Sequence, residues 1–143
     1  MSTRAVFTFS DPDHKGRPLV VYKHHDGYPS GAVGDLIRAR DGGLSWPLPR
    51  FEADEFAAAF VASNKAQPGS IRLLGAGDWR DLSPGDIEYV YHVVRFPSGH
   101  INVAGWRVDE DEKGRLSMGE PVLQPTRLRD LGPAALAALR GVA

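Results

Sequence analysis

The stretch "IEYVYHVVRF", residues 87–96, decides the fold that the sequence predicts. It is dense in β-branched and aromatic residues, which favour a β-strand. Successive side chains of a strand point to opposite faces. This places Ile87, Tyr89, Tyr91 and Val93 on one face and Val90, His92, Val94 and Phe96 on the other. Because both faces are largely apolar, the pattern predicts a central strand that is covered on both sides.

The chain that follows this strand predicts a meander. A "PSG" turn leads into a partner strand over residues 100–108, and the charged turn "DEDEKG" comes next. Residues 115–124 form a weaker strand, in which Pro121 favours an edge position because proline cannot donate a ladder hydrogen bond. A short helix over residues 132–141 has a proline in its first turn and a glycine at its end.

The N-terminal half predicts two strands and two helices. The strands cover residues 4–9 and 19–24, and they form an antiparallel hairpin because the link is too short for a crossover helix. A helix over residues 31–43 ends in glycines, and a longer helix over residues 52–66 begins with acidic residues. The stretch "SIRLL", residues 70–74, fits either a short strand or another packed segment.

This order of elements predicts a single α+β domain over residues 1–143. We expect an antiparallel sheet of about four to five strands with helices on one face, the usual way to bury such a sheet. The composition, with 42% hydrophobic and 24% charged residues, is ordinary for a globular protein.

Charge and cysteine content exclude several classes of site. A formal net charge of −1 gives no overall attraction to nucleic acid or to an anionic membrane. The absence of cysteine excludes disulfides, thiolate nucleophiles and thiolate metal sites. The N-terminal residues lack the apolar core of a signal peptide, and no stretch approaches the ~20 apolar residues that span a bilayer. We therefore expect a cytoplasmic protein that binds no membrane.

The turn "HHDGYPSG", residues 24–31, has a structural interpretation. Asp-Gly is a common turn pair, because glycine tolerates positive φ and aspartate bonds the backbone beyond it. We predict that the Asp26 carboxylate accepts such bonds, and that Gly27 has positive φ or lies against another backbone. Ser30 is a suitable N-cap for the helix that follows.

The same turn also has a functional interpretation. His24 and His25 are adjacent on a strand, so they point to opposite faces unless the strand has already ended. A metal bound by His25 and Asp26 would need a third ligand from elsewhere, and the backbone N–H groups near Gly31 are an alternative site for an anion. The candidate ligand-binding residues are His24, His25, Asp26, Tyr28, Asp86 and Glu88, with His92 as a further metal ligand. We expect neither a bound metal nor a cofactor.

Asp86 and Glu88 open the central strand in "SPGDIEYVYH". Their spacing puts both carboxylates on one side of the strand. One interpretation is acid–base or metal chemistry, and the other is a pair of exposed acids at a turn. The sequence contains no phosphate-binding loop, no zinc-helix motif and no Ser-His-Asp order typical of hydrolases. We expect Tyr28 and Pro29 to pack against Tyr89 and Tyr91.

Two motifs carry a resemblance to a known family. A basic residue and a histidine precede Asp-Gly-Tyr-Pro-x-Gly, and a Gly-Asp-Ile-Glu-Tyr-x-Tyr strand follows downstream. Together they resemble short, uncharacterised proteins of bacteriophages and prophages. The matching positions are Lys23, His24, Asp26, Gly27, Tyr28, Pro29, Gly31, Gly85, Asp86, Ile87, Glu88, Tyr89 and Tyr91. Residues from about 100 onward lie outside the resemblance, which brings no catalytic residues with it.

The resemblance implies a phage accessory protein in the host cytoplasm. Our leading hypothesis is a protein that binds a protein partner without catalysis, for example an inhibitor of a host defence system such as a CRISPR effector. The hairpin residues Arg107, Glu110 and Arg115 are the expected partner surface. The alternative is a protein that binds a small anion or nucleotide, or a small metal-dependent enzyme, using the turn. An open cleft between the turn and the central strand favours the alternative, and a buried, mutually satisfied contact disfavours it.

Overall fold

Six strands form one mixed sheet in the computed structural model, which describes residues 2–14 and 16–139. The strands are β1 (Ala5–Ser10), β2 (Leu19–Lys23), β3 (Ile71–Ala76), β4 (Tyr89–Arg95), β5 (Ile101–Glu110) and β6 (Leu116–Arg127). The helices are α1 (Pro29–Asp41), α2 (Ala53–Asn64), α3 (Trp79–Leu82) and α4 (Pro133–Leu139), with a 3-10 turn at Leu128–Asp130. The order across the sheet is β3-β2-β1-β4-β5-β6, so β4 is central as predicted.

The α+β class is confirmed, but the sheet is neither wholly antiparallel nor limited to five strands. The "SIRLL" stretch forms the sixth strand, β3, and β1 pairs with β4 in parallel. β3 ends beside Leu19 of β2, and β4 begins beside Ala5 of β1. Leu19 and Ala5 are at opposite ends of the paired strands, so the link between β3 and β4 runs along the full length of the strands. Parallel strands require such a crossover of about a dozen residues. Residues 77–88 supply it.

The main core lies on the face of the sheet that α1, α2 and α4 cover. Phe7 and Phe9 of β1 meet Phe60 of α2 with ring centroids 4.6 and 5.4 Å apart. All three rings are fully buried. Burial of such side chains contributes ~1.5–3 kcal/mol each, which makes this layer the principal source of stability.

The crossover, which contains α3, partly covers the second face of the sheet, so the helices are not confined to one face as predicted. Trp79 and Ile87 are buried there with Val90 of β4. Ile87 therefore does not share a face with Tyr89 and Tyr91, contrary to the prediction. The strand begins only at Tyr89, and Asp86 has φ +64°, so the strand alternation does not reach back to Ile87.

A buried ion pair joins β2 to α1. The Lys23 ammonium donates to the Asp35 carboxylate, whose side chain is 2% exposed, and Arg38 donates to the same carboxylate. The Asn64 amide of α2 donates to the Asp35 carbonyl at 3.0 Å. Each charge thus has a partner, which burial requires.

Most helix and strand boundaries follow the predictions, with one correction. α1 begins at Pro29, one residue before Ser30, so the Ser30 hydroxyl is not the cap. Proline fixes the first helical φ and needs no N–H partner there. Gly42 ends α1, and Pro121 lies on the edge strand β6, as expected. The predicted end of the last helix at Gly141 lies outside the described residues.

Within residues 2–14 and 16–139, no helix combines the length and the apolar character that a bilayer-spanning segment needs.

Candidate functional site

The turn and the central strand meet in a buried contact. The Tyr91 hydroxyl donates to the Gly27 carbonyl at 2.7 Å, and the Gly27 N–H donates to the Thr3 carbonyl at 2.8 Å. A Cβ on Gly27 would lie 2.9 Å from the Thr3 carbonyl oxygen and 3.0 Å from the Ala5 nitrogen, so this glycine lies against another backbone as predicted. This buried, satisfied contact disfavours a ligand site between the turn and the central strand, so a site that uses the turn must lie elsewhere.

The aromatic residues of the two motifs contribute to one core. The Tyr89 and Tyr91 rings stack with centroids 6.2 Å apart, and both are buried. Pro29 is buried, and the half-buried Tyr28 packs against the same core. Burial raises the pKa of the Tyr91 phenol far above its usual range, so the hydroxyl remains a donor.

Asp26 does not behave as predicted. It is exposed, its φ is +56°, and its carboxylate accepts no hydrogen bond from the described residues. The reason lies in the next residue, because the Gly27 N–H already donates to Thr3 across the sheet edge. The carboxylate is left in solvent beside the turn.

His24 and His25 lie together, which is the case expected if the strand has already ended. β2 ends at Lys23, so strand alternation no longer applies to the two histidines. Their rings are in edge contact with centroids 4.5 Å apart. His24 Nδ1 is 2.6 Å from the Tyr22 hydroxyl, and His25 Nδ1 is 3.2 Å from the Ser2 hydroxyl. Each ring is thereby oriented through one nitrogen.

These histidines open onto a cleft of about 550 Å³, which we call the basic cleft. Arg4, Arg72, Tyr22 and the loop 67–70 complete its lining, together with Pro84. None of the described lining residues carries a carboxylate. Asp86, which does not line the cleft, lies 3.6 Å from Arg4 and has a side chain 85% exposed. The basic cleft is therefore a positively charged concavity.

Burial lowers the pKa of His24 below its usual value, and the nearby charges of His25 and Arg4 act in the same direction. His24 is therefore neutral at pH 7. A negative charge in the basic cleft would oppose the effect of the neighbouring cations and favour its protonation. Occupation by an anion and protonation of His24 are thus coupled.

The remaining candidate residues do not converge on His25. Glu88 is exposed, and its backbone bridges Arg4 and Val108 through two hydrogen bonds of 2.9 Å. His92 lines a separate groove. Across the described part of the chain, no three His, Asp or Glu side chains lie close enough together to hold a metal ion.

Arg4 and Arg72 were missed in the sequence analysis. Arg4 directly precedes β1, and Arg72 lies opposite Tyr22 in the β2–β3 register. Only the pairing of β3 with β2 brings Arg72 beside the histidines. A basic residue in the largely apolar "SIRLL" stretch was the available signal.

The predicted partner surface lies on a hairpin that extends past the central strand. β4 pairs with β5 only as far as Arg107, whereas β5 and β6 remain paired out to Glu110 and Leu116. The Arg107 guanidinium lies over the Tyr89 ring at 5.3 Å. Glu110 and Arg115 are exposed. The tip of the hairpin is thus accessible to a partner.

Comparison of the chain with family models, with curated proteins and with solved structures found no match in any of the three. The functional argument therefore depends on the geometry of the chain itself.

Proposed function

We propose that the protein is a non-catalytic binding protein whose basic cleft holds an anionic group of its ligand. One observation carries the proposal: Arg4, Arg72, His24 and His25 line a single concavity with no carboxylate among its described lining residues. The guanidinium groups of Arg4 and Arg72 repel each other and attract an anion, and the exposed Asp86 at 3.6 Å compensates Arg4 only.

The chemistry of the lining favours phosphate or carboxylate groups. A guanidinium donates two parallel hydrogen bonds to either group, and such charge-assisted bonds are stronger than neutral ones. Tyr22 and Ser2 hold the two histidines through Nδ1, which leaves the other ring nitrogen of each to face a ligand. The open shape of the cleft suits a group that projects from a larger molecule, such as the phosphate of a nucleotide.

The test is calorimetric titration with inorganic phosphate and with AMP at low salt. We expect saturable binding that weakens at least tenfold in Arg72→Gln, since that arginine supplies a charged donor. Arg115→Gln, an exposed arginine on the hairpin, is the matched control and should bind as the wild type does. Equal affinities for the wild type and Arg72→Gln would refute the proposal.

A protein partner is the second candidate, supported by the exposed tip of the β5–β6 hairpin. The resemblance of the two motifs to phage and prophage proteins favours an accessory role in the host cytoplasm, such as inhibition of a CRISPR effector. Charge reversal by Glu110→Arg with Arg115→Glu should then abolish capture of the partner from host lysate while the melting temperature is unchanged. Arg107→Glu is a poorer test of partner binding, because it also removes the contact between Arg107 and the Tyr89 ring and so affects stability.

A further inference from the structure

A second concavity lies on the face of the sheet that the crossover partly covers. It has a volume of about 660 Å³ and shares no lining residue with the basic cleft. Thr8, His92 and Val94 of the paired strands β1 and β4 line it, together with Trp79 of the crossover. We call it the His92 groove.

His92 is a fixed and neutral imidazole. Its Nδ1 is hydrogen-bonded to the Thr8 hydroxyl, and its ring packs on Trp106 with centroids 5.2 Å apart. Burial lowers its pKa to about 4, so the ring carries no charge at pH 7. Its Nε2 has no hydrogen-bond partner among the described residues. The ring is thus held through one nitrogen, while the other is available to a ligand.

The charges of the groove do not cancel. Arg80 donates two hydrogen bonds to the Asp78 carboxylate, at 3.0 and 2.6 Å, and this pairing lowers the pKa of Asp78 to about 2. Arg17 lies in the same lining and adds a second guanidinium with no second carboxylate among the described lining residues. The groove therefore has one positive charge in excess.

Apolar surface lies between these polar groups. Val94 and Trp79 line the groove, and Met118 on the edge strand is 40% exposed there. Small-molecule sites typically enclose ~300–1,000 Å³ and combine apolar walls with a few placed polar groups. The His92 groove has both properties.

From these observations we infer that the His92 groove binds a small amphipathic anion. The anionic group would lie at Arg17, the apolar body would lie against Val94 and Met118, and a polar atom of the ligand would bond His92 Nε2. This site is independent of the anion proposed for the basic cleft.

A suitable probe is 8-anilinonaphthalene-1-sulfonate, which joins a sulfonate to an aromatic body. We expect one equivalent to bind to the native protein, with its fluorescence enhanced and with energy transfer from Trp79 and Trp106. Arg17→Gln should weaken binding at least tenfold. His92→Phe retains a ring against Trp106 but lacks the nitrogen, and it should also bind the probe several-fold less tightly.

Arg72→Gln is the control, because it alters the basic cleft alone and should leave the affinity for the probe unchanged. Melting curves of each variant show that the fold is retained. If His92→Phe fails to fold, Arg17→Gln remains decisive, because Arg17 is exposed. The inference fails if the probe does not bind the native protein, or if Arg17→Gln binds it as tightly as the wild type.

Discussion

The Tyr91 hydroxyl and the Gly27 carbonyl are 2.7 Å apart, and both residues are buried. They lie 64 positions apart in the chain, in the two motifs that the sequence marks out. This bond fastens the turn that carries His24 and His25 to the central strand. The wall of the basic cleft is therefore positioned by a residue that does not line it.

Removing this hydroxyl should destabilise the protein. In Tyr91→Phe the Gly27 carbonyl stays buried without its donor, a loss that typically costs ~1–3 kcal/mol. Tyr28→Phe is the control, because the Tyr28 hydroxyl has no hydrogen-bond partner among the described residues, and a change within ~0.5 kcal/mol is expected there. Urea denaturation measures both, and equal free energies of unfolding would contradict the assigned bond.

Gly31 and Gly85, one in each motif, should respond differently to alanine. A Cβ on Gly31 would lie 2.0 Å from the Asp26 carbonyl oxygen, whereas a Cβ on Gly85 meets nothing within 4 Å. Because backbone must move to admit the methyl group, Gly31→Ala should cost ~1–3 kcal/mol or more. Gly85→Ala should be close to neutral. Thermal melting distinguishes the two, and a tolerated Gly31→Ala would show that the turn is arranged differently.

The buried ion pair predicts an asymmetry between its partners. Asp35→Ala leaves the Lys23 ammonium buried without a counter-charge, which typically costs ~3–5 kcal/mol. Lys23→Met retains most of the side-chain volume, and Asp35 keeps its bond to Arg38. We therefore expect Lys23→Met to be clearly less destabilising in chemical denaturation at neutral pH. Equal losses would mean that Arg38 does not compensate Asp35.

His92 predicts a specific pH dependence of stability. Its pKa is about 4 in the folded protein and near the usual 6.5 in the unfolded chain, so the unfolded chain binds more protons between these values. The stability associated with neutral His92 is complete above about pH 6.5 and is lost as the pH falls toward 4. The pH dependence of urea denaturation should be flatter over this window in His92→Phe.

His100→Gln serves as the control for that experiment, since His100 is exposed on the β4–β5 turn. Its profile should follow the wild type. The Asp78 carboxylate does not confuse the comparison, because its pKa is about 2 and its contribution is lost only below the usual 3.8. Identical profiles for the wild type and His92→Phe would contradict the burial of the imidazole.

Local pattern was sufficient for most strands and helices, though not for the short α3, and it was insufficient for their assembly. The dense apolar stretch identified β4, and Gly42 and Pro121 marked a helix end and an edge strand. The parallel β1–β4 pairing could not be predicted, because register between distant strands is set by the crossover and by what it buries, such as Trp79. The preference of serine for the N-cap position gave a wrong role to Ser30. The helix instead begins one residue earlier, because Pro29 is well suited to the first helical position.

In the candidate site, too, some residues could be predicted but their arrangement could not. The histidine pair was identified from its motif, since adjacent histidines before Asp-Gly are conspicuous. That the two rings lie together could not be predicted, because it depends on β2 ending at Lys23. Arg4, just before β1, and Arg72, on β3, reach the basic cleft from opposite sides of β2, and no local pattern relates them.

The parallel pairing has a consequence for folding during synthesis. Thr8 lies beside His92, 84 positions later in the chain, so β1 keeps one unpaired edge until β4 has emerged. At roughly 5–20 residues per second, this interval lasts seconds. An unpaired edge is a template for association with other chains. We expect nascent chains that stop before β4 to depend on a chaperone, and folding to accelerate once residue 95 is free of the ribosome.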